Sequence, residues 1–261
     1  MSVDLHTHIL PGLDDGPGTL EESVEMARAA VAAGVTVVAA TPHVREDYPT
    51  TPEQMEEALA RLRAAVAAER IPLDVRGGGE LDIEWLKRIG LEEGRRFALA
   101  GNPRYLLIEF PYAGWPLGLR RLVFELQLAG ITPVLAHPER NADVQADPER
   151  VRELVEAGAI VQLTTASVDG RFGPAAEHAS AALLASHLAH VVASDAHGAQ
   201  MRGFGTAALA AAIGDRAVAD WLATGTPSAI IGDGSLPARA EPARRRPALL
   251  SRLRSTGRPN R

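Results

Sequence analysis

The sequence predicts an α/β protein of barrel size, built from repeated strand and helix units around a parallel sheet. Three observations predict it. Short β-branched or aliphatic runs alternate along the chain with longer Ala, Leu, Glu and Arg stretches of helical period. The chain has 261 residues, 46% of them hydrophobic, which is enough for one large core. No linker interrupts the pattern before Leu236.

Seven strands and their helices follow in order. Ser2–Leu5 opens the chain as a short strand, and Thr19 with Glu22 forms a capping box for a helix over Leu20–Ala33 that Gly34 ends. Strand Val35–Ala40 precedes a helix at Pro52–Ala68, with Thr51 as cap and proline in the first turn. Leu73–Arg76 is the third strand, and between Leu81 and Ala100 a short helix is expected at Ile83–Arg88. Strand Tyr105–Ile108, helix Leu117–Ala129 with Gly130 as stop, and strand Thr132–Ala136 come next. Asp147 before Pro148 starts a helix over Pro148–Ala157, with Gly158 as its stop. Strand Ile160–Leu163, helix Pro174–His187, strand His190–Ala193 and a last helix near Gly205–Thr224 complete the set.

Composition removes several functions. The chain has no cysteine, which excludes disulfides, thiolate zinc sites and a cysteine nucleophile. It has no run of about 18 apolar residues and no basic-then-apolar leader, so a soluble, cytoplasmic protein is expected. Of the net charge of −6, the last 23 residues carry +7, with eight arginines (Arg239, Arg244, Arg245, Arg246, Arg252, Arg254, Arg258 and Arg261) against Glu241. Residues 1–238 are therefore strongly acidic and are not expected to bind nucleic acid. Residues 236–261 read as a basic, disordered tail outside a barrel of residues 1–235; the sharper reading is attraction to anionic lipid, nucleic acid or an acidic partner.

The ends of the strands carry the chemistry. His6 and His8 are two apart on the first strand, so both imidazoles point to one side and can share one metal ion. The second strand leads into Thr41-Pro42-His43, the third region into Gly77-Gly78-Gly79-Glu80, the fourth into Glu109, the fifth into His137, and the seventh into Asp195 with His197. Only the sixth lacks an obvious ligand. In a closed parallel barrel these ends converge on one face, which gathers residues scattered along the whole chain into one cluster. Glu109 sits in an apolar run between Ile108 and Phe110, where a carboxylate needs a cationic partner. Asp14 and Asp15 share a turn with Gly12 and Gly16, and either is a candidate ligand. His178, His187 and His190 fall on a helix or at the far end of a strand, and are read as surface or capping residues. Arg140 and Arg202 follow His137 and His197 in loops over the same face, and guanidinium groups suit phosphate. Metals with two arginines point to a phosphate ester.

The set Asp4-Leu5-His6-Thr7-His8, Asp14-Asp15-Gly16, Thr41-Pro42-His43, Glu80, Ile108-Glu109-Phe110-Pro111, His137-Pro138-Glu139-Arg140 and Ser194-Asp195-Ala196-His197 resembles the PHP (polymerase and histidinol phosphatase) superfamily. More narrowly, it is similar to the bacterial manganese-dependent protein-tyrosine phosphatases of capsule and exopolysaccharide loci, the CpsB/CapC group. The resemblance covers about residues 1–235. It implies a distorted (β/α)7, TIM-like barrel with its metal site at the C-terminal ends of the strands, and three divalent ions, manganese, iron or zinc. His6, His8, Glu80 and Asp195 would hold one ion; Glu80, Glu109 and His137 a second; Asp15, His43 and His197 a third. Arg140 and Arg202 match the phosphate-binding arginines. One departure is visible, because Val44 follows His43 where relatives often carry another histidine.

On that ligand set, four carboxylates offset four of six positive charges, leaving about +2 for an anionic substrate and hydroxide. Two ions roughly 3.5–4 Å apart would lower the pKa of a shared water toward about 7, for direct attack on phosphorus without a covalent enzyme intermediate. The implied activity is phosphotyrosine hydrolysis, with a tyrosine kinase of polysaccharide export as the implied partner. Two rival readings are a small-molecule phosphoesterase of the same superfamily, such as histidinol-phosphate phosphatase, and a metal-binding regulatory module without turnover. The oligomeric state stays open.

Overall fold

Seven parallel staves close into a ring, and two of the seven are broken in the middle. The computed structural model describes residues 2–199 and 206–239. Its strand segments are β1 (Ser2–Thr7), β2 (Val35–Ala40), β3 (His43–Val44), β4 (Asp74–Gly77), β5 (Glu80–Asp82), β6 (Tyr105–Glu109), β7 (Thr132–Ala136), β8 (Ile160–Thr164) and β9 (Val191–Ala193). They pair in parallel as β1-β2-β4 and as β3-β5-β6-β7-β8-β9. The two sheets are one barrel wall. β3 continues the stave of β2 and β5 that of β4, while β9 meets β1 through Asp195 N–H to His6 O and His8 N–H to Ala196 O, both 2.9 Å.

The seven expected strands are all present within a residue or two, and the additions are β3 and β5. Their separation has local causes. Pro42 has no N–H to donate, and its carbonyl instead accepts from Glu80 N–H at 2.9 Å. Gly77 and Gly79 lie where a Cβ would meet Leu59 or Phe97 at 2.8 Å, so the third stave can bend there only without side chains. That bend delivers Glu80 to the barrel mouth.

The helices correct several expected boundaries. α1 (Leu20–Ala32) starts with the capping box read at Thr19, and at α2 (Pro52–Ala68) the cap read at Thr51 is itself a capping box with Gln54. α3 (Ile83–Gly94) runs on past Arg88, with its start capped by Asp82 and a kink at Gly90. α4 (Leu119–Leu128) begins two residues after Leu117, because Gly118 is left-handed at φ 74°. The helix expected over Pro148–Ala157 is a 3-10 turn at Pro148–Val151, then a short α-helix at Arg152–Glu156, and Asp147 makes no side-chain cap. Asn141 caps instead, for an unforeseen helix at Ala142–Ala146. Another short helix, Thr165–Val168, follows β8. The helix Pro174–Ala185 stops short of His187, which is left-handed at φ 61°. The last expected helix divides at Gly214 into Thr206–Ile213 and Arg216–Asp220, and continues through a π-turn at Trp221–Gly225 into Thr226–Ile231. Gly205 and residues 240–261 lie outside the described residues.

Two apolar layers flank the wall. The outer one packs α1, α2 and α4 against the strands through Met26, Leu62, Leu106, Leu126 and Leu163. The inner one contains Leu5, Val37, Leu107, Val134, Ile160, Val191 and Ile230. Leu107 and Ile160 are two residues before Glu109 and Gln162, so this layer lies below the mouth on the same side of the strands. The lower end carries His190, whose Nδ1 accepts from Val161 N–H at 3.2 Å, beside Trp221 and Arg239. Arg239 also donates to Leu184 O, so the first residues of the basic stretch lie on the barrel. Among the described residues, no helix is long and apolar enough to cross a membrane.

The β9–β1 seam depends on Asp4. Its buried carboxylate accepts from Ser194 N–H at 3.1 Å and from His6 N–H at 3.2 Å. Replacing Asp4 by Ala leaves both donors buried and unpaired, and is expected to cost about 2–4 kcal/mol. Asp4→Asn keeps an acceptor and should lose less; urea midpoints of the two variants check the order. A pH effect comes from the lower end, because burial, reinforced by Arg239, lowers His190 to about 4. The unfolded chain then takes up a proton near pH 6.5 while the fold does not. Its contribution is therefore present above pH 6.5 and lost toward pH 4, up to about 3 kcal/mol. The difference in urea midpoint between wild type and His190→Gln should shrink over that window.

Candidate metal centre

Asp14 sets the first imidazole. His8 Nδ1 lies 2.6 Å from Asp14 Oδ2, which also accepts from His43 N–H at 2.9 Å, while Asp14 Oδ1 takes Gly16 N–H at 3.0 Å. The Asp14 side chain is buried and fully engaged. Gly16 is required beside it, since a Cβ there would lie 2.2 Å from His8 O. His6 is oriented in the same manner, with Nδ1 3.0 Å from Gln162 Oε1. With both Nδ1 atoms donating, the two Nε2 atoms carry lone pairs toward each other at 3.2 Å.

Two carboxylates join them. Glu80 Oε2 is 3.3 Å from His6 Nε2 and 3.5 Å from His8 Nε2; Asp195 Oδ1 is 3.5 and 3.3 Å from the same atoms. Four acceptor atoms facing one point repel unless a cation lies between them. Ligand atoms bound at about 2.1 Å to one ion stand about 3.0–3.4 Å apart, which matches these separations.

The second group surrounds Glu80 from the other side. His43 Nδ1 lies 3.0 Å from Glu80 Oε2 and 3.7 Å from Glu109 Oε2, and these three buried atoms have no hydrogen-bond partner among the described residues. His137 Nε2 meets the other Glu80 oxygen at 2.8 Å. Glu109 Oε1 is taken by Arg45 at 2.8 Å, which aims Oε2 inward. The third group is Asp15, His43, His197 and His8. Asp15 Oδ1 stands 3.1 Å from His197 Nε2 and 3.6 Å from His43 Nε2, and its side chain is 47% exposed. His197 Nδ1 lies 2.9 Å from Asp195 O, leaving Nε2 for the cluster.

The charges respond to this crowding. Burial alone would raise Glu80 and Asp195, yet the imidazoles around them, His6 foremost, hold both below the usual carboxylate range. The hydrogen bond with His197 keeps Asp15 low. Burial lowers His137, whereas in His8 the pull of burial is overcome by Asp14, Asp195 and Glu80. Glu109 is pushed up to about 7 by burial and by the Glu80 charge, against His43 and Arg45. Arg45 and His43 thus only partly offset the paired Glu80 and Glu109 carboxyls, and the orphaned atoms on this side fit a divalent cation with mixed O and N ligands.

Each described candidate comes to this one mouth: His6, His8, Asp15, His43, Glu80, Glu109, His137, Asp195 and His197. His43 reaches both Asp15 and Glu80, and so lies between two of the expected groups. Arg140 donates to Asp195 Oδ2 at 2.9 Å, and Arg202 lies outside the described residues. His178 and His187 are exposed, away from the site. Three contributors escaped the sequence reading, and Asp14, read as a candidate ligand, instead orients His8. Gln162 orients His6; Arg45 pairs with Glu109; Glu139, fully buried with its carboxyl raised to about 7 by burial, accepts from Thr164 N–H. Arg45 had a signal, since it is two residues from His43 as His8 is from His6. Gln162, on the one stave without a ligand-type residue, had none.

A parallel barrel whose strand ends converge imidazoles and carboxylates in this way has the architecture of barrel enzymes with a metal centre. The family model for capsular polysaccharide synthesis, CpsB/CapC, matches residues 2–221, and the chain belongs to that family. It is 40% identical over 205 residues to the tyrosine-protein phosphatase YwqE of Bacillus subtilis (strain 168), covering 78% of this chain and 80% of the relative. Tyrosine-protein phosphatase CpsB of Streptococcus agalactiae serotype III (strain NEM316) is 29% identical over 212 residues, covering 77% and 84%. A chain from the crystal structures of YwqE from Bacillus subtilis and CpsB from Streptococcus pneumoniae, described as unique metal-dependent tyrosine phosphatases, superposes with a TM-score of 0.82 at 36% identity. That match covers 92% of this chain and 98% of that one. The distorted seven-stave barrel is thus a family property.

Asp14→Ala removes the acceptor of His8 Nδ1 and of His43 N–H without deleting any inward-facing atom. Metal retention is expected to fall about 10–100-fold, measured by competition with a fluorescent chelator. Unchanged retention would make Asp14 a turn residue only.

Proposed function

We propose that this chain is a metal-dependent protein-tyrosine phosphatase that holds three divalent ions, manganese first among them, at its barrel mouth. The observation that carries the reading is the trio of buried, unpartnered atoms, His43 Nδ1, Glu80 Oε2 and Glu109 Oε2, beside the four acceptor atoms of His6, His8, Glu80 and Asp195. Family membership and the named relatives support phosphotyrosine as the substrate class. His6, His8, Glu80 and Asp195 hold one ion, Glu80, Glu109 and His137 a second, and Asp15, His43 and His197 the third. When bound, such ions supply a water nucleophile at neutral pH and offset charge on the phosphoryl group.

The chain's own residues do the rest. Asp14 and Gln162 keep His8 and His6 turned so that Nε2 faces inward. Arg45 holds one oxygen of Glu109 and leaves the other for the ions. Arg140 is pinned by Asp195 through one guanidinium nitrogen, which leaves further N–H donors for phosphoryl oxygens. Arg202, five residues beyond His197 in sequence, is the second arginine assigned to the phosphoryl group. A phenolate leaving group, of pKa about 10, departs without a strong general acid. The enzyme is cytoplasmic and acts on a tyrosine-phosphorylated protein, with a kinase of polysaccharide export as the physiological target.

Purified protein should be inactive after chelation and recover with added manganese. It should turn over a phosphotyrosine peptide faster than histidinol phosphate. His6→Ala with His8→Ala should lower kcat by at least about 100-fold. Preference for histidinol phosphate would move the chain to small-molecule phosphoesterases, and metal binding without any turnover would make it a regulatory module.

A further inference from the structure

Aromatic residues are scarce in this chain, with three tyrosines in 261 residues. Two of the three stand at the mouth of the metal centre, each nearly parallel to one of its imidazoles. The ring of Tyr112 lies 5.8 Å from that of His137 at an interplanar angle of 6°. The ring of Tyr48 lies 5.7 Å from that of His43 at 15°. His43 and His137 contact opposite oxygens of Glu80. Tyr48, His43, Glu80, His137 and Tyr112 therefore form one continuous series, with an aromatic ring at either end.

Tyr112 is the more open of the pair. It is 47% exposed, and its hydroxyl has no hydrogen-bond partner among the described residues. The fold gains little from an aromatic ring left half in water. The exposed Phe124 and Leu128 lie on α4, outside the wall, whereas Tyr112 comes three residues after the end of β6 and lies beside His137. Arg140 is stacked between two rings, 4.6 Å from the centre of Tyr112 and 4.8 Å from that of Phe172, while Asp195 holds its Nη1. The cation suited to a phosphoryl group is thus fixed against the same ring that stands open. A phosphoryl group held by Arg140 therefore lies within reach of the Tyr112 ring.

We propose that Tyr112 is the aryl-recognition residue of this site, packing against the phenyl ring of a phosphotyrosyl side chain whose phosphoryl group lies on Arg140. The inference rests on the phosphatase reading and adds to it the source of preference for an aryl ester over bare or alkyl phosphate. Ring pairs of this kind contribute about 0.5–1.5 kcal/mol beyond area burial, or roughly 2- to 12-fold in affinity. Tyr48 forms the second wall, beside His43.

The test is calorimetric binding to the full chain with manganese added, using phenylphosphonate as a non-hydrolysable aryl probe and inorganic phosphate as the bare one. Wild type should bind phenylphosphonate more tightly than phosphate. Tyr112→Ala should weaken phenylphosphonate about tenfold and phosphate less than about twofold, Tyr112→Phe should behave as wild type, and Tyr112→Leu should fall between. Equal weakening of both probes would mean that Tyr112 only steadies Arg140, and would overturn the proposal. So would unchanged affinities in Tyr112→Ala, or a wild type without aryl preference. A Tyr112-dependent preference in a protein that hydrolyses no aryl phosphate would instead sustain aryl recognition while the phosphatase reading falls.

Discussion

A carboxylate buried without water must be surrounded by positive charge or hydrogen-bond donors, and Glu80 is that carboxylate here. Both of its oxygens are fully enclosed, and imidazoles approach from three staves. Much of the architecture follows from accommodating it. The third stave bends at glycines because side chains there would strike Leu59 and Phe97, and the second breaks at a proline whose carbonyl then binds Glu80 N–H. The distortion of the barrel is therefore local to the two staves that bring His43 and Glu80 together. The unbroken staves β6, β7 and β8 deliver one side chain each: Glu109 at the end of β6, His137 just beyond β7 with a left-handed backbone at φ 38°, and Gln162 from within β8.

Strand ends were legible in the sequence because ligand-type residues there break apolar runs. Glu109 after Leu106-Leu107-Ile108 and His137 after Val134-Leu135-Ala136 illustrate it. The pair Asp14-Asp15 was not separable by local chemistry, since both sit in one glycine-containing turn. The structure separates them by function: Asp14 is buried and spent on His8, His43 and Gly16, while Asp15 is half exposed and faces His197. Gln162 was invisible because an amide on a buried strand has no distinctive spacing, and its partner is 156 residues away. Helix boundaries failed where a single residue overrode periodicity, as at Gly118, Gly214 and Asp147, whose side chain points elsewhere than the adjacent amides.

The lower end of the barrel shows how far the fold extends beyond the family match at residue 221. Ile230 is fully buried in the inner apolar layer, and its carbonyl accepts from Asn102 Nδ2 at 2.7 Å. Trp221 donates to Pro237 O, and Arg239 reaches Leu184 O. Residues after the matched region thus close the floor of the barrel whose mouth the matched region builds. Floor and mouth differ in kind: the floor is apolar with single hydrogen bonds, whereas the mouth is a dense set of ionisable groups held by a polar outer shell.

The seam between β9 and β1 has a bearing on how the molecule assembles. Asp4 and Ser194 are 190 positions apart, so the contact that joins the wall is among the longest-range in the chain. Contacts of high sequence separation form late, after the entropy of closing the intervening loop has been met. His6 and His8 are synthesised well before Asp195 and His197, which arrive only when the last stave is made. A partly synthesised chain therefore presents two histidines with no carboxylate from the far side of the seam. The imidazole and carboxylate cluster at the mouth is thus complete only once the β9–β1 seam has formed.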